Sequence, residues 1–322
     1  MTWDLGGDVL LDGRFPLRTT RPFTSRQAAL AGIDRRQLTE LVREGFLRRM
    51  LKGVYVPAQV PDSLLLRSQA LALVVPGDAT VTDWTACWLH TGVLPPGDHL
   101  EVPKVSVFRF AGHGRLRNDL CRSGERSFGI RDLEISGDVA VTTPLRTALD
   151  LGRFATRDWA IAGMDALLRM GRFSPDDLHG NVERFRRQRG VVQLRTLAPL
   201  ADAHAESPGE SVLRLRWHDL PALPQPRPQV SIRSWDDREV YRIDLGIEEL
   251  RFGVEYDGEA NHTSPEDRVH DAARRRDLDE RFGWLVLGVT KDNVFGVHRD
   301  VEAIIHEGIR EARRRLGRPR MR

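Results

Sequence analysis

Residues 240–262, VYRIDLGIEELRFGVEYDGEANH, decide how the rest of this chain is read. They form two short strand-like runs joined by a turn. Val240–Leu245 holds Asp244 among apolar and β-branched neighbours, and Phe252–Asp257 follows after IEELR. Side chains alternate along a strand, so Glu255 and Asp257 share one face while Val254 and Tyr256 take the other. Asp244, near the end of its strand, is then placed to approach Glu255. Carboxylates gathered on one face repel, and burying them is costly unless something positive lies between them. A hard divalent cation is the natural neutraliser, and Mg²⁺ suits two carboxylates completed by water and phosphate oxygens. The plainer alternative is an edge hairpin whose acids face solvent, with Asp257-Gly258 serving only as a turn.

Upstream, Ser207 can cap and Pro208 can open a helix ESVLRLRW with Glu210 near its start. A glutamate there also stabilises the helix N-terminus by ~0.3–1 kcal/mol through the dipole. The proline-dense PALPQPRPQV leads into the strand QVSIRSW. Downstream, a loop and a helix capped by Ser264, with Pro265 first, carry Arg268, Arg274, Arg275 and Arg276. Local pairing with Asp271 and Asp277 explains part of that density, and a phosphodiester cleft explains it equally. GWLVLGVT is a further strand, EAIIHEGIREARRRL the last helix, and ARRRLGRPRMR a basic tail.

At the other end, residues 1–22 form an uninformative N-terminal segment. Thr24 or Ser25 caps a helix through Leu30. Asp34 caps RRQLTELVR, with an apolar stripe of Leu38, Leu41 and Val42, and Gly45 closes it. FLRRMLKGVYVP then gives two strands around Lys52-Gly53. Helix, turn, helix and hairpin within residues 23–58 outline a winged helix-turn-helix. Arg35, Arg36, Gln37 and Arg43 lie on the exposed side of the second helix, and Arg48, Arg49 and Lys52 supply the wing. Such side chains suit base edges and phosphates of duplex DNA. A small protein-binding module with solvated arginines is the alternative.

Between these ends, residues 62–199 alternate helical and strand-like patterns as an α/β middle domain, and no spacing there carries catalytic chemistry. His90, His99 and His113 are scattered, and Trp84 and Trp88 share a helix face as core residues. Arg184, Arg186, Arg187 and Arg189 cluster, either against phosphate or as a solvated helix face. The 322 residues suit two or three domains, and 40% hydrophobic with 30% charged residues fits a water-soluble α/β protein. Net charge is +3, and of 49 basic residues all but Lys52, Lys104 and Lys291 are arginine, a bias that genomic base composition can also produce and that is compatible with phosphate contacts without establishing them. Cys87 and Cys121 have no zinc or disulfide spacing, which fits a cytoplasmic protein. The longest apolar run, ALALVV at 70–75, is far too short to span a bilayer, so no membrane partner is expected. MTWDLGGDVLLDG lacks the basic and apolar regions of a signal peptide.

The pattern D-x(10)-E-Y-D-G-x(3)-H, followed by a charged helix and GWLVLGVT, resembles the very-short-patch-repair-like branch of the PD-(D/E)XK endonuclease superfamily. The likeness runs from about Ala205 to Ala312 and takes in Ser207-Pro208-Gly209-Glu210-Ser211. It implies a restriction-endonuclease-like domain at 205–316, a central mixed sheet flanked by helices. It further implies Mg²⁺ (or Mn²⁺) held by Asp244 and Glu255, with Glu210, Asp257 and His262 completing the catalytic set and Arg274 and Arg275 on nucleic acid. The superfamily usually places lysine where Asp257 stands. His262 is therefore the candidate to orient water or move a proton, and a degenerate, inactive site stays open. Residues 23–58, with Lys52-Gly53-Val54-Tyr55 at the wing, resemble the antitoxin domain of AbiEi-type (type IV) toxin–antitoxin proteins. Two functions follow as expectations: a DNA-directed, Mg²⁺-dependent endonuclease, or a non-catalytic antitoxin-like repressor with a degenerate nuclease fold. Besides duplex DNA, a partner toxin or self-association is an expected partner, the toxin favouring the second function.

Overall fold

The computed structural model describes residues 10–94, 104–117, 121–258 and 265–317. The fold is mixed α/β with three separate sheets. The chain divides into two compact units, residues 1–151 and 152–322. That boundary falls within the stretch 62–199 that reads as one region in the sequence.

The first unit opens with the winged helix. Strand β1 (Phe23–Thr24) leads into α1 (Ser25–Leu30) and α2 (Arg35–Arg43), and the hairpin of β2 (Leu47–Leu51) and β3 (Val54–Pro57) forms the wing. Both helices start in capping boxes, Thr24 with Gln27 and Asp34 with Gln37. Gly32 and Gly45 adopt the left-handed conformation just past the two helix ends. Leu38 and Leu41 turn inward onto Phe23, Ala28, Ile33 and Leu47. Each such burial contributes roughly 1.5–3 kcal/mol. Leu11 and Phe15 join this core, and Gln59 exchanges two hydrogen bonds with the Leu11 backbone. The module thus begins before Phe23, within a segment whose sequence shows no periodicity.

Next come α3 (Leu64–Ala72), β4 (Thr80–Val81), α4 (Asp83–Thr91), β5 (Val105–Phe110), β6 (Cys121–Arg126), β7 (Leu133–Ser136), β8 (Val139–Thr142) and α5 (Pro144–Phe154). The sheet order is β6-β5-β4-β8-β7. At one side of it lies a buried charge network. Arg126 reaches Asp83 at 2.7 Å and Asp150 at 3.1 Å, while Arg146 reaches Asp150 at 2.8 Å and also bonds Asp132. Burial pushes the Asp150 carboxyl up against the pull of both guanidinia. Asp83 is held at φ +53°, a conformation costly for a residue with a side chain, and the fork from Arg126 sustains it.

The second unit holds α6 (Arg157–Arg169), α7 (Pro175–Val182), α8 (Val191–Leu197) and α9 (Pro208–His218), then β9 (Arg227–Arg233), β10 (Glu239–Ile247) and β11 (Phe252–Tyr256). It ends with α10 (Pro265–Phe282), β12 (Leu285–Val289), α11 (Lys291–Val294) and α12 (Val301–Leu316). The sheet order β12-β11-β10-β9 has β11–β12 parallel and the other pairs antiparallel. Helices α9 and α12 bury Val212, Leu213, Trp217, Ile305 and Ile309 with Leu245, Phe252 and Val254 of the sheet. Leu278 of α10 packs with Val230, Ile232, Ile243, Trp284 and Val286. This is the mixed sheet flanked by helices expected for 205–316. Among the described residues, no helix is long and apolar enough to cross a membrane.

Removing Arg146 takes from the buried Asp132 the guanidinium bonded to it and leaves Asp150 with Arg126 alone. Arg146→Ala is expected to lower unfolding free energy by about 3–5 kcal/mol in urea titration. A loss below about 1 kcal/mol would show that the network is not structurally required.

Candidate functional site

The ladder between β10 and β11 pairs Leu245 with Val254, Gly246 with Gly253 and Ile247 with Phe252. Asp244 and Glu255 lie one step beyond. Val254 joins the core while Glu255 and Asp257 turn toward α10, the alternation expected from the sequence. Ser207 caps α9 by accepting the Glu210 amide at 3.2 Å, which sets Glu210 in the first turn. Gly209 lets α9 lie against the Tyr256 ring, because a Cβ there would overlap that ring. Glu210, Asp244 and Glu255 are in this way drawn into one region.

Their electrostatics are unequal. Glu255, buried, accepts from Arg274 at 2.6 Å, and Asp257 accepts from Arg275 at 2.8 Å. Arg274 also donates to the Arg242 carbonyl at 3.0 Å and lies over the Tyr241 ring. Asp244 accepts the Tyr256 amide at 2.8 Å and has no guanidinium bonded to it among the described residues. Burial pushes its carboxyl up to about 7, with the nearby Glu210 and then Glu255 adding to the rise. Glu210 is held by the Glu206 amide and by Gln229 at 3.0 Å. Gln229, missed in the sequence, occupies φ +51° within β9, and nothing about a lone glutamine before a strand marks it.

The structure therefore brings Glu210, Asp244 and Glu255 together and sends Asp257 to an ion pair instead. Arg274 and Arg275, expected on nucleic acid, are engaged with carboxylates of this site. His262 and Ser264 lie outside the described residues. Lys291 opens α11 on the exposed surface. No group of three His, Cys, Asp or Glu side chains stands ready to hold a metal ion among the described residues.

On the winged helix, Arg35, Arg36 and Arg43 are exposed along α2, and Arg49 and Lys52 are exposed on the wing. Arg36 pairs with Glu40 at 3.1 Å and Arg43 more loosely with Glu44. Two expectations need correction. Gln37 spends its side chain on the capping box, accepting the Asp34 amide at 2.8 Å. Arg48 is half-buried and folds back onto the Val60 carbonyl, away from the wing surface. Three arginines not singled out in the sequence, Arg18, Arg21 and Arg26, are exposed in the same module. No ion pair engages these three, Arg35, Arg49 or Lys52 among the described residues. Residues 10–58 hold ten basic side chains against four acidic ones, so the module carries a strong positive field that the chain-wide net charge conceals.

Fold and charge together define a basic winged-helix protein. Residues 17–58 match the family model described as "Transcriptional regulator, AbiEi antitoxin". Over 262 residues the chain is 33% identical to "Uncharacterized protein MT2308" of Mycobacterium tuberculosis (strain CDC 1551 / Oshkosh), a span covering 81% of this chain and 92% of that protein. The same identity and shares hold for "Uncharacterized protein Rv2248" of strain ATCC 25618 / H37Rv. The chain belongs to the family of these mycobacterial proteins.

Asp244 has a consequence for stability. Between its ordinary range near 4 and about 7, the folded protein binds a proton there that the unfolded chain does not. Relative to Asp244→Asn, the wild type is therefore expected to lose up to about 1.4 kcal/mol of stability per pH unit as pH rises from 5 to 7, then to run parallel. Urea titrations across pH 5–8 check this. Parallel curves throughout would place Asp244 in an ordinary carboxylate environment.

Proposed function

We propose that the protein is a duplex-DNA-binding regulator of the AbiEi antitoxin type. Helix α2 enters the major groove, and the wing and the basic segment before α1 meet backbone phosphate. The observation that carries this reading is the set of exposed cations on a winged helix with no carboxylate partner among the described residues: Arg18, Arg21, Arg26, Arg35, Arg49 and Lys52. An exposed, unneutralised guanidinium is the group best suited to the fork of a phosphate or guanine edge. The partner that accompanies this reading is a cognate toxin or a second copy of the chain.

A second reading is a Mg²⁺- or Mn²⁺-dependent endodeoxyribonuclease, favoured by Asp244, a half-buried acid beside Glu210 and Glu255 that has no guanidinium bonded to it among the described residues. The fit to a metal is incomplete, since Arg274 already takes Glu255. Asp244 and Glu255 would hold the ion, which when bound polarises a phosphoryl oxygen and acidifies water. The chain's own contribution is to keep Asp244 partly desolvated and to hold Glu210 through Gln229.

Fluorescence anisotropy with duplex DNA from upstream of the coding sequence, against a scrambled duplex, tests the leading reading. The Arg35→Ala/Arg36→Ala variant is expected to bind the upstream duplex about 10–100-fold more weakly and to lose discrimination. Unchanged affinity and discrimination would contradict it. Incubating the same DNA with Mg²⁺, Mn²⁺ or chelator separates the second reading. It requires metal-dependent cleavage abolished by Asp244→Asn and by Glu255→Gln, and intact DNA under all conditions removes it.

A further inference from the structure

Between α7 and α8 the chain makes a short 3₁₀ turn, Glu183–Phe185, followed by Arg186, Arg187, Gln188, Arg189 and Gly190. In sequence this basic run allows a solvated helix face. In the structure it is a turn, and it is tightly built. Arg153 of α5, itself buried, donates to the Arg189 carbonyl at 3.1 Å and to the Gln188 side chain at 3.1 Å, and lies 4.1 Å over the Phe185 ring. Phe185 is buried and serves as the peg on which the turn sits. Gly190, at φ +81°, passes so close to the Arg153 backbone that a Cβ would overlap its carbonyl. Arg187 is held at φ +62°, a conformation that side-chain-bearing residues adopt only when surroundings enforce it.

The charges on this turn are left open. Its one acid, Glu183, is taken by a two-bond fork from Arg195, 2.8 Å on each arm. Arg186 feels Glu183 electrostatically but does not bond it. No ion pair engages Arg186, Arg187 or Arg189 among the described residues, and all three are exposed. Several exposed arginines elsewhere in the second unit are neutralised in place. Arg227, Arg281, Arg299, Arg310 and Arg315 each pair with a carboxylate. Three free guanidinia within four residues repel one another, by about 1 kcal/mol or less per pair in water. A strained, pegged backbone that keeps them together is best explained by a polyanion that neutralises all three.

We infer that the 186–189 turn is a second nucleic-acid contact, a preorganised clamp for the phosphodiester backbone of DNA, independent of base sequence. This rests on the DNA-binding reading and adds a contact outside the winged helix. Each guanidinium presents a fork matched to a phosphate, and fixing the turn beforehand lowers the ordering cost of binding. Such contacts release counterions, so they set the salt dependence of affinity more than its sequence preference.

The test is the slope of log affinity against log salt for the full chain on the upstream and scrambled duplexes. Arg186→Gln/Arg187→Gln/Arg189→Gln is expected to weaken both duplexes alike and to reduce the slope by about 2–3, at roughly 0.9 per phosphate contact. The charge-reversed triple glutamate variant should weaken binding further, with thermal unfolding of both variants checked against wild type. A wild-type slope and affinity in both variants overturns the clamp while leaving the winged-helix reading intact. With single-stranded RNA titrated alongside as a third probe, loss confined to the RNA assigns the turn to RNA and overturns it for DNA. If wild type binds no DNA at all, both readings fall together.

Discussion

The second unit and the middle sheet both depend on one constraint: a carboxylate removed from water must have a guanidinium beside it. Asp132 and Asp150 share Arg146, Asp83 and Asp150 share Arg126, Asp165 takes Arg214, and Glu255 takes Arg274. Leaving a buried charge of this kind unpaired costs several-fold more than a typical hydrogen bond contributes. The pairs join elements far apart in sequence, as Arg214 of α9 with Asp165 of α6, so they fix which helices lie against each other. Arginine serves here because its planar fork satisfies two acceptors at once.

Against that rule, the places where pairing is withheld stand out. Asp244 is desolvated yet, among the described residues, is bonded by a backbone amide and no guanidinium, and its carboxyl rises accordingly. The winged helix and the 186–189 turn show the converse, clustered exposed guanidinia with no carboxylate partner among the described residues. Unmatched charge of either sign is destabilising or neutral for the fold, so its retention is more readily tied to binding than to stability.

Local order was legible in the sequence wherever one short stretch determined it. Asp34 capping α2, the wing around Lys52-Gly53, Ser207 and Pro208 opening α9, and the alternation of Glu255 with Tyr256 all rest on neighbours within a few residues. Strand β6, CRSGER, escaped notice because it has no apolar alternation and is held by its pairing with β5. Leu11 and Phe15 were unreadable for a similar reason: their partners in the core lie well along the chain. Site residues failed in the same way. Gln37 and Arg48 look like wing and recognition-helix cations or donors until a cap and a distant carbonyl claim them. Arg274 and Arg275 look like phosphate ligands until the fold sets them on Glu255 and Asp257. Side-chain type shows what a residue can bind, and only tertiary contact shows what it has already bound.

Arginine-specific chemical modification, mapped by mass spectrometry with and without duplex DNA, tests most directly whether unpaired cations form the nucleic-acid face. Protection is expected at Arg18, Arg21, Arg26, Arg35, Arg49 and the 186–189 turn, with paired exposed arginines such as Arg195 and Arg315 modified equally in both states. Protection spread evenly over paired and unpaired arginines, or confined to the paired ones, would contradict it.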